Sequence, residues 1–173
     1  IRDSYSWCVK PNRALNRALV SFQANKKTPF YSWFKYKEGF SSGLVEHLID
    51  HSGLREGVLL DPFAGSGAAL FVARDFGWDA RGIEVLPVGV FAVQARLAAE
   101  NVNLDQLGSF LRRLPRLTIK PANGKESVFS RISITRGAFP PETEAELEAY
   151  LRHISSKIKD PDLATVLRFA AFC

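Results

Sequence analysis

The sequence predicts an α/β fold built around one βαβ unit, and three observations carry this prediction. Val58–Leu60 is a short apolar run typical of a buried strand, and Pro62, which cannot donate to a sheet, ends that strand at about Asp61. Ala68–Phe76 has the apolar spacing of a helix. Glu84 follows the intervening turn by about the 20 residues that separate such a turn from a ribose-binding carboxylate at the end of the next strand. The pattern therefore predicts a unit that binds a nucleoside.

The turn between the strand and the helix indicates which nucleoside is bound. Gly65 and Gly67 permit a tight turn and let backbone amides approach a ligand. A dinucleotide site requires a third glycine where this chain has Leu70, and the lysine of a phosphate-binding P-loop is absent as well. The carboxylate of Asp61 would repel a pyrophosphate, but it can attract an ammonium group such as that of S-adenosylmethionine. An ordinary glycine-rich turn without a ligand is the alternative.

The heptapeptide D-P-F-A-G-S-G at Asp61–Gly67 resembles the cofactor motif of the DNA methyltransferases that modify the amino groups adenine-N6 or cytosine-N4. The preceding stretch, 27–48, is similar to the segment in which that family places an aromatic loop and a helix over the methionine end of the cofactor. The resemblance covers roughly residues 27–96 and implies S-adenosylmethionine as the cofactor, with Glu84 on its ribose and Ile83 and Val85 beside its adenine. The cofactor-binding residues that it implies are Phe34, Lys35, Tyr36, Asp61, Pro62, Phe63, Ala64, Gly65, Ser66, Gly67, Ile83, Glu84 and Val85.

On this resemblance the predicted fold class is α/β: a Rossmann-like S-adenosylmethionine-dependent methyltransferase core, incomplete here, with a mainly helical C-terminal extension. We expect three parts along the chain. Residues 1–40 would form a basic, aromatic N-terminal segment and cofactor lid, 41–102 the Rossmann-like cofactor-binding unit, and 103–173 a mainly helical insertion or cover that is truncated.

Capping residues and apolar spacing predict the other elements. Serine caps one helix, a first-turn proline opens another, Thr143 with Glu146 forms a capping box, and Asp160 precedes a proline at the start of the last helix. In chain order the predicted helices are Asn12–Phe22, Ser41 or Ser42 to about His51, Pro87 to about Asn101, Leu104–Leu114, Thr143 to about Lys159, and Asp160 to Cys173. A hairpin is predicted from strand-like runs at Leu117–Lys120 and Arg131–Thr135.

Two basic stretches flank the mildly acidic cofactor unit and suggest a nucleic-acid partner. Residues 10–37 contain seven lysines or arginines and no acidic residue, interleaved with aromatic side chains, and residues 112–136 contain seven with one glutamate. Cations beside rings suit a polyanion with exposed bases, whereas solvated loops with inward-facing aromatics are the equally open alternative. The candidate nucleic-acid contacts are Lys26, Lys27, Arg112 and Arg113.

No catalytic residue is assigned from the sequence. The resemblance implies a catalytic Pro-Pro motif that has Asp, Asn or Ser before it and an aromatic residue after it, to hold the amine and stack the flipped base. The single Pro-Pro pair of this chain lies between Phe139 and Glu142, which are the wrong residues on both sides. We therefore expect the motif to lie after Cys173, and this chain to be a cofactor-binding fragment without activity of its own.

Several other functions are weighed against this one. An RNA guanine-N2 methyltransferase shares the glycine motif, and a non-catalytic cofactor- or nucleic-acid-binding module remains open. A cytosine-C5 enzyme is excluded, because no cysteine lies between Asp61 and the Glu100-Asn101-Val102 triplet. No metal site is expected from the histidines or the two cysteines, and no membrane-spanning run or signal peptide is visible, so a cytoplasmic DNA-binding protein is predicted.

Overall fold

The computed structural model describes residues 12, 14–117 and 139–173. Its helices and strands, in chain order, are α1 (Ser42–Ser52), β1 (Val58–Asp61), α2 (Ala68–Asp75), β2 (Asp79–Gly82), α3 (Pro87–Asn101), α4 (Leu104–Arg113), α5 (Pro141–Lys157) and α6 (Pro161–Ala170), with short 3₁₀ helices at Phe22–Lys27 and Leu114–Arg116. The chain divides into two compact units, one up to Val90 and one from Phe91, so that α3 begins in the first and continues in the second. The predicted hairpin falls outside the described residues, except for Leu117.

The first unit contains the predicted βαβ arrangement. Strands β1 and β2 are parallel, with Val58 opposite Asp79 and Asp61 opposite Gly82, and α2 connects them. Helices α1 and α2 pack on one face of this pair, where buried apolar side chains form a core with Leu59 and Ala80. The buried members of that core are Val45, Ile49, Ala69, Val72 and Ala73.

The strand β1 is half-buried, whereas the sequence predicted a buried strand. Its side chains alternate between the two faces, so that Leu59 packs under the helices while Val58 and Leu60 are 59% and 63% exposed. An uninterrupted apolar run is typical of strands covered on both faces, but the two helices here cover one face. The sequence of the run alone does not show whether one or both faces of the strand are covered.

The predicted helix at Asn12–Phe22 is wrong. The described part of this stretch forms turns, followed by the 3₁₀ helix that begins at Phe22. The side-chain oxygens of Asn12 and Asn16 accept hydrogen bonds from the amides of Ala14 and Leu19, both at 3.0 Å. Such local bonds compete with the helical ladder, which explains why the apolar spacing did not produce a helix.

The regular secondary structure in the described residues of the second unit is all helical. Its core joins Val102 and Phe110 to side chains from α5 and α6, namely Ile154, Leu163, Ala164 and Leu167. The hydroxyl of Tyr150 in α5 donates to the carbonyl of Leu167 in α6 at 2.8 Å, and burial raises the pKa of this phenol above its ordinary value.

Two helix ends of this unit differ from prediction, and one start is confirmed. Helix α5 starts at Pro141, because this proline has the fixed φ suited to a first turn, and no capping box forms at Thr143. The Oδ1 atom of Asp160 accepts from the amides of Asp162 and Leu163 at 3.0 Å, as the Asp-Pro signal predicted for α6. That helix ends at Ala170 rather than continuing to Cys173.

Candidate cofactor-binding site

The glycine turn between β1 and α2 forms the centre of the candidate site. Gly65 and Gly67 have φ angles of 53° and 81°, which are left-handed conformations that side chains disfavour. Gly67 is the residue before the first turn of α2, and among the described residues no side chain caps that helix end. The first amides of α2 thus have no side-chain acceptor in this part of the chain, which leaves them available to a ligand.

The pairing of β1 with β2 places both predicted carboxylates at one edge of the sheet. The amide of Ile83 donates to the carbonyl of Asp61 at 2.9 Å, and the amide of Ala64 donates to the carbonyl of Ile83 at 2.9 Å. These bonds continue the strand pairing past Gly82 and tie the glycine turn to the segment that carries Glu84. Ligands of open α/β sheets bind at this carboxyl edge.

Asp61 has one satisfied and one unsatisfied carboxylate oxygen. Its Oδ1 accepts a hydrogen bond from the amide of Phe63 at 3.0 Å, which braces the start of the turn. Its Oδ2 is buried and accepts no hydrogen bond from any described residue. Asp61 also borders an open cleft of about 370 Å³ whose other lining residues are almost all apolar. A buried carboxylate oxygen without a donor is uncommon and favours a missing partner with N–H groups.

Glu84 is held against the start of α3 by a short contact. Its Oε1 accepts from the amide of Leu86 at 2.6 Å, and within the described residues its Oε2 accepts no hydrogen bond. A Cβ added to Gly89 would lie 2.8 Å from both the Cγ of Glu84 and the carbonyl oxygen of Gly65. Gly89 therefore lets the glycine turn and Glu84 meet at the first turn of α3.

The importance of Gly89 was missed from the sequence, although a weak signal is present. Glycine is disfavoured inside helices relative to alanine, so a glycine three residues into a predicted helix indicates a close approach. Gly82, at the end of β2, also marks a close approach, because a Cβ there would lie 2.7 Å from the side chain of Leu70 and 2.8 Å from that of Ala64.

Tyr36 is the predicted lid residue that the structure brings to the glycine turn. Its ring atoms lie 2.9–3.4 Å from the position that a Cβ on Gly65 would occupy, so the ring packs directly on the bare backbone of that residue. Phe34 lies beside Tyr36, with their ring centroids 6.3 Å apart. The aromatic segment and the glycine turn are therefore neighbours in the fold.

The loop that carries Tyr36 is closed at its base by Asn25. The side-chain Nδ2 of this buried residue donates to the carbonyl of Phe40 at 3.0 Å, and its Oδ1 accepts from the amide of Ser42 at 2.9 Å. Ser41 adds a second tie, since its hydroxyl donates to the carbonyl of Leu19 and accepts from the amide of Leu44. No sequence pattern pointed to Asn25, because its two partners lie 15 and 17 residues away.

Exposed apolar side chains surround the carboxyl edge. Phe63 and Val85 are 87% and 86% exposed, and Ile83 is exposed as well. Pro62 is also exposed, while Ser66 is half-buried within the turn. Ala64, Gly65 and Gly67 are buried in the turn itself.

Lys35 lines a feature that is separate from the glycine turn. Its side chain borders a hollow of about 500 Å³ whose other lining residues are Phe22, Lys26, Ser32 and Lys37. The backbone turns here, since the amide of Tyr36 donates to the carbonyl of Phe34 and the amide of Gly39 donates to the carbonyl of Tyr36, both at 3.0 Å. The ring of Tyr36 packs on the glycine turn, while its two neighbours line this hollow.

The predicted nucleic-acid residues are divided between the two units. Lys26 and Lys27 are exposed at the end of the 3₁₀ helix of the first unit. Arg112 and Arg113 belong to α4 in the second unit, where they donate to the hydroxyl and the carbonyl of Ser109 at 3.2 and 3.1 Å. Most of the second basic stretch lies outside the described residues.

In the part of the chain that the structure describes, no helix combines the length and apolarity needed to cross a bilayer. No group of three or more potential metal-binding side chains gathers there either, and the rings of His47 and His51 lie 4.2 Å apart without a third ligand.

Comparison with known proteins identifies relatives over nearly the whole chain. Type II methyltransferase M.AvaI from Nostoc sp. is 42% identical over 168 residues, which is 95% of this chain and 34% of that protein. Type II methyltransferase M.BsoBI from Geobacillus stearothermophilus is 40% identical over 148 residues, which is 85% of this chain and 28% of that protein. This chain is homologous to part of the Type II methyltransferases.

These relatives confirm the predicted DNA methyltransferase family. The chain spans about a third of the length of the curated relatives that it matches. No family model and no solved structure matches it.

Proposed function

We propose that this chain binds S-adenosylmethionine as the cofactor part of a DNA methyltransferase that acts on the exocyclic amino group of adenine or cytosine. The parallel βαβ unit within 41–102 would be part of a Rossmann-like core, with 1–40 as a basic, aromatic segment and lid and 103–173 as a mainly helical insertion or cover. The RNA methyltransferase alternative is not favoured by the relatives, which are named as Type II methyltransferases.

The buried Oδ2 atom of Asp61 is the observation that carries the proposal. A carboxylate oxygen that lacks a hydrogen-bond donor is costly to bury, and the cost is removed when a ligand supplies a charged N–H group. The methionyl part of S-adenosylmethionine carries an ammonium group, whereas the pyrophosphate of a dinucleotide would be repelled. The charge and position of Asp61 thus favour S-adenosylmethionine over a dinucleotide as the ligand.

The remaining residues of the edge fit the other parts of the same ligand. Within the described residues the Oε2 atom of Glu84 accepts no hydrogen bond, so it would be available to ribose hydroxyls, and the exposed side chains of Ile83 and Val85 offer apolar surface for adenine. Tyr36 would form the wall of the site above Gly65. The bound cofactor would supply an activated methyl group, while these residues hold and orient it.

The test is calorimetric titration of the chain with S-adenosylmethionine, comparing Asp61→Asn with the parent. This change keeps an acceptor for the Phe63 amide but replaces the other oxygen by an NH₂ group that repels an ammonium. Loss of one charged hydrogen bond corresponds to about 1.5–3 kcal/mol, so we expect affinity to fall by about ten- to 150-fold.

Asp79→Asn is the matched control. Asp79 lies at the opposite end of the same two-stranded sheet and is exposed, so the same substitution there removes the same charge without touching the carboxyl edge. We expect its affinity to equal that of the parent. Equal affinities for Asp61→Asn and Asp79→Asn would refute the assignment of Asp61 to the cofactor.

A further inference from the structure

We infer that Lys26, Lys35 and Lys37 form a binding site for the phosphate backbone of duplex DNA. The three side chains line one surface hollow of about 500 Å³ in the first unit, together with the buried ring of Phe22 and with Ser32. They come from two separate segments, the 3₁₀ helix and the loop that follows it. The inference rests on the proposed function, because it names the side on which that enzyme's substrate would approach.

Within the described residues, the charges in this hollow have no acidic partner. In the described part of the chain, no Asp or Glu side chain lies within 4.0 Å of the three amines, and Lys26 bonds only the neutral side chain of Gln23 at 3.2 Å. Residues 26–40 contain four lysines and one glutamate. Gathering like charges without counter-ions opposes folding, so the arrangement favours an external anion as the partner.

The backbone around the hollow is fixed rather than left to solvent. Asn25 closes the base of the loop through Phe40 and Ser42, and the amide of Ser32 donates to the carbonyl of Thr28 at 3.0 Å. Phe30 adopts a φ of 65°, which is uncommon for a residue with a side chain and is retained where the surroundings impose it. The lysines therefore project from a loop of defined shape.

Duplex DNA is favoured over a small anion by the position of the hollow. Lys35 and Lys37 flank Tyr36, whose ring covers the glycine turn, so the hollow and the candidate cofactor site share one loop. Phe30 and Trp33 lie on the same loop with ring centroids 4.9 Å apart, and Phe30 is 44% exposed. Lysine amines act as point charges on phosphates and position a duplex without reading its sequence.

The experiment measures binding of a fluorescent duplex of mixed sequence at several salt concentrations. The triple variant Lys26→Gln, Lys35→Gln and Lys37→Gln is compared with the parent chain. Because each lost phosphate contact flattens the slope of log affinity against log salt by about 0.9, we expect weaker binding and a slope flatter by about two to three. Cofactor binding is titrated in parallel by calorimetry.

The control variant carries Arg55→Gln, Lys157→Gln and Lys159→Gln. These three residues are exposed and do not line the hollow, and the control has the same change in net charge. We expect it to keep most of the parent's affinity and slope. Equal losses in the two triple variants, or a parent chain that does not bind the duplex, would overturn the inference.

The two proposals fail in different ways. If the parent chain binds DNA through the three lysines but does not bind S-adenosylmethionine, the proposed function is refuted and the hollow remains a DNA site. A triple variant that loses cofactor affinity but keeps DNA affinity would instead assign the lysines to the cofactor and overturn the DNA site.

Discussion

Gly89→Ala tests whether the glycine turn and Glu84 are held together at the first turn of α3. A Cβ at this position would lie 2.8 Å from the carbonyl oxygen of Gly65, and 2.8 and 3.0 Å from the Cγ and Cδ of Glu84. The side chain of Glu84 can move away, but the carbonyl belongs to the backbone of a turn that Tyr36 also contacts. The added methyl group must therefore shift the candidate site itself.

The magnitude follows from two opposing terms. Replacing a helical glycine by alanine ordinarily stabilises by roughly 0.5–1 kcal/mol, while forcing an extra carbon into a packed position costs about 1–3 kcal/mol. The two ranges combine to a net loss of roughly 0–2.5 kcal/mol in the free energy of unfolding, with a midpoint near 1 kcal/mol. S-adenosylmethionine affinity should fall as well, because Gly65 and Glu84 are displaced together.

Urea denaturation and calorimetric titration measure the two effects, and Gly108→Ala in α4 is the control. The nearest atom to a Cβ on Gly108 is the tip of the flexible Arg112 side chain, at 3.3 Å. The same substitution should therefore stabilise the chain or leave it unchanged, with normal cofactor affinity. A Gly89→Ala variant that is as stable as the parent and binds the cofactor equally well would refute the close packing.

Three further outcomes are expected. Glu84→Ala should lower the affinity for S-adenosylmethionine about tenfold or more. Glu84→Gln keeps an acceptor for the Leu86 amide, so it shows whether the charge itself matters. Unchanged calorimetric affinity in both variants would exclude Glu84 from the site. Tyr150→Phe removes the bond to Leu167 and should destabilise by about 1 kcal/mol in urea melts. Burial raises the pKa of Tyr150, so its neutral phenol stabilises the fold fully below the ordinary pKa of about 10, and this stabilisation is lost as the pH rises through the folded pKa. The Tyr150→Phe variant should therefore lose less stability in alkali than the parent does. The chain by itself should transfer no labelled methyl group to DNA, since it lacks the Pro-Pro motif with a polar residue before it; measured turnover would contradict this.

The elements of this chain that were predicted correctly depend on local rules. Pro62 ends β1 at Asp61 because it has no amide proton, and the hydroxyl of Ser41 caps α1 by accepting from the amide of Leu44. Asp160 caps α6 through amides two and three residues away. In each case the cause and its effect lie within a few residues of each other, so the sequence alone determined the outcome.

The features that only the tertiary structure decided depend on contacts between distant segments. The exposure of Leu60 depends on which face of the sheet the helices cover, and the role of Gly89 depends on where Gly65 lies. Lys26 and Lys35 are nine positions apart in the sequence and share a hollow because Asn25 closes the loop between them. Hydrophobic periodicity and motif spacing describe one segment at a time, whereas burial and convergence of charge arise only when segments pack against each other.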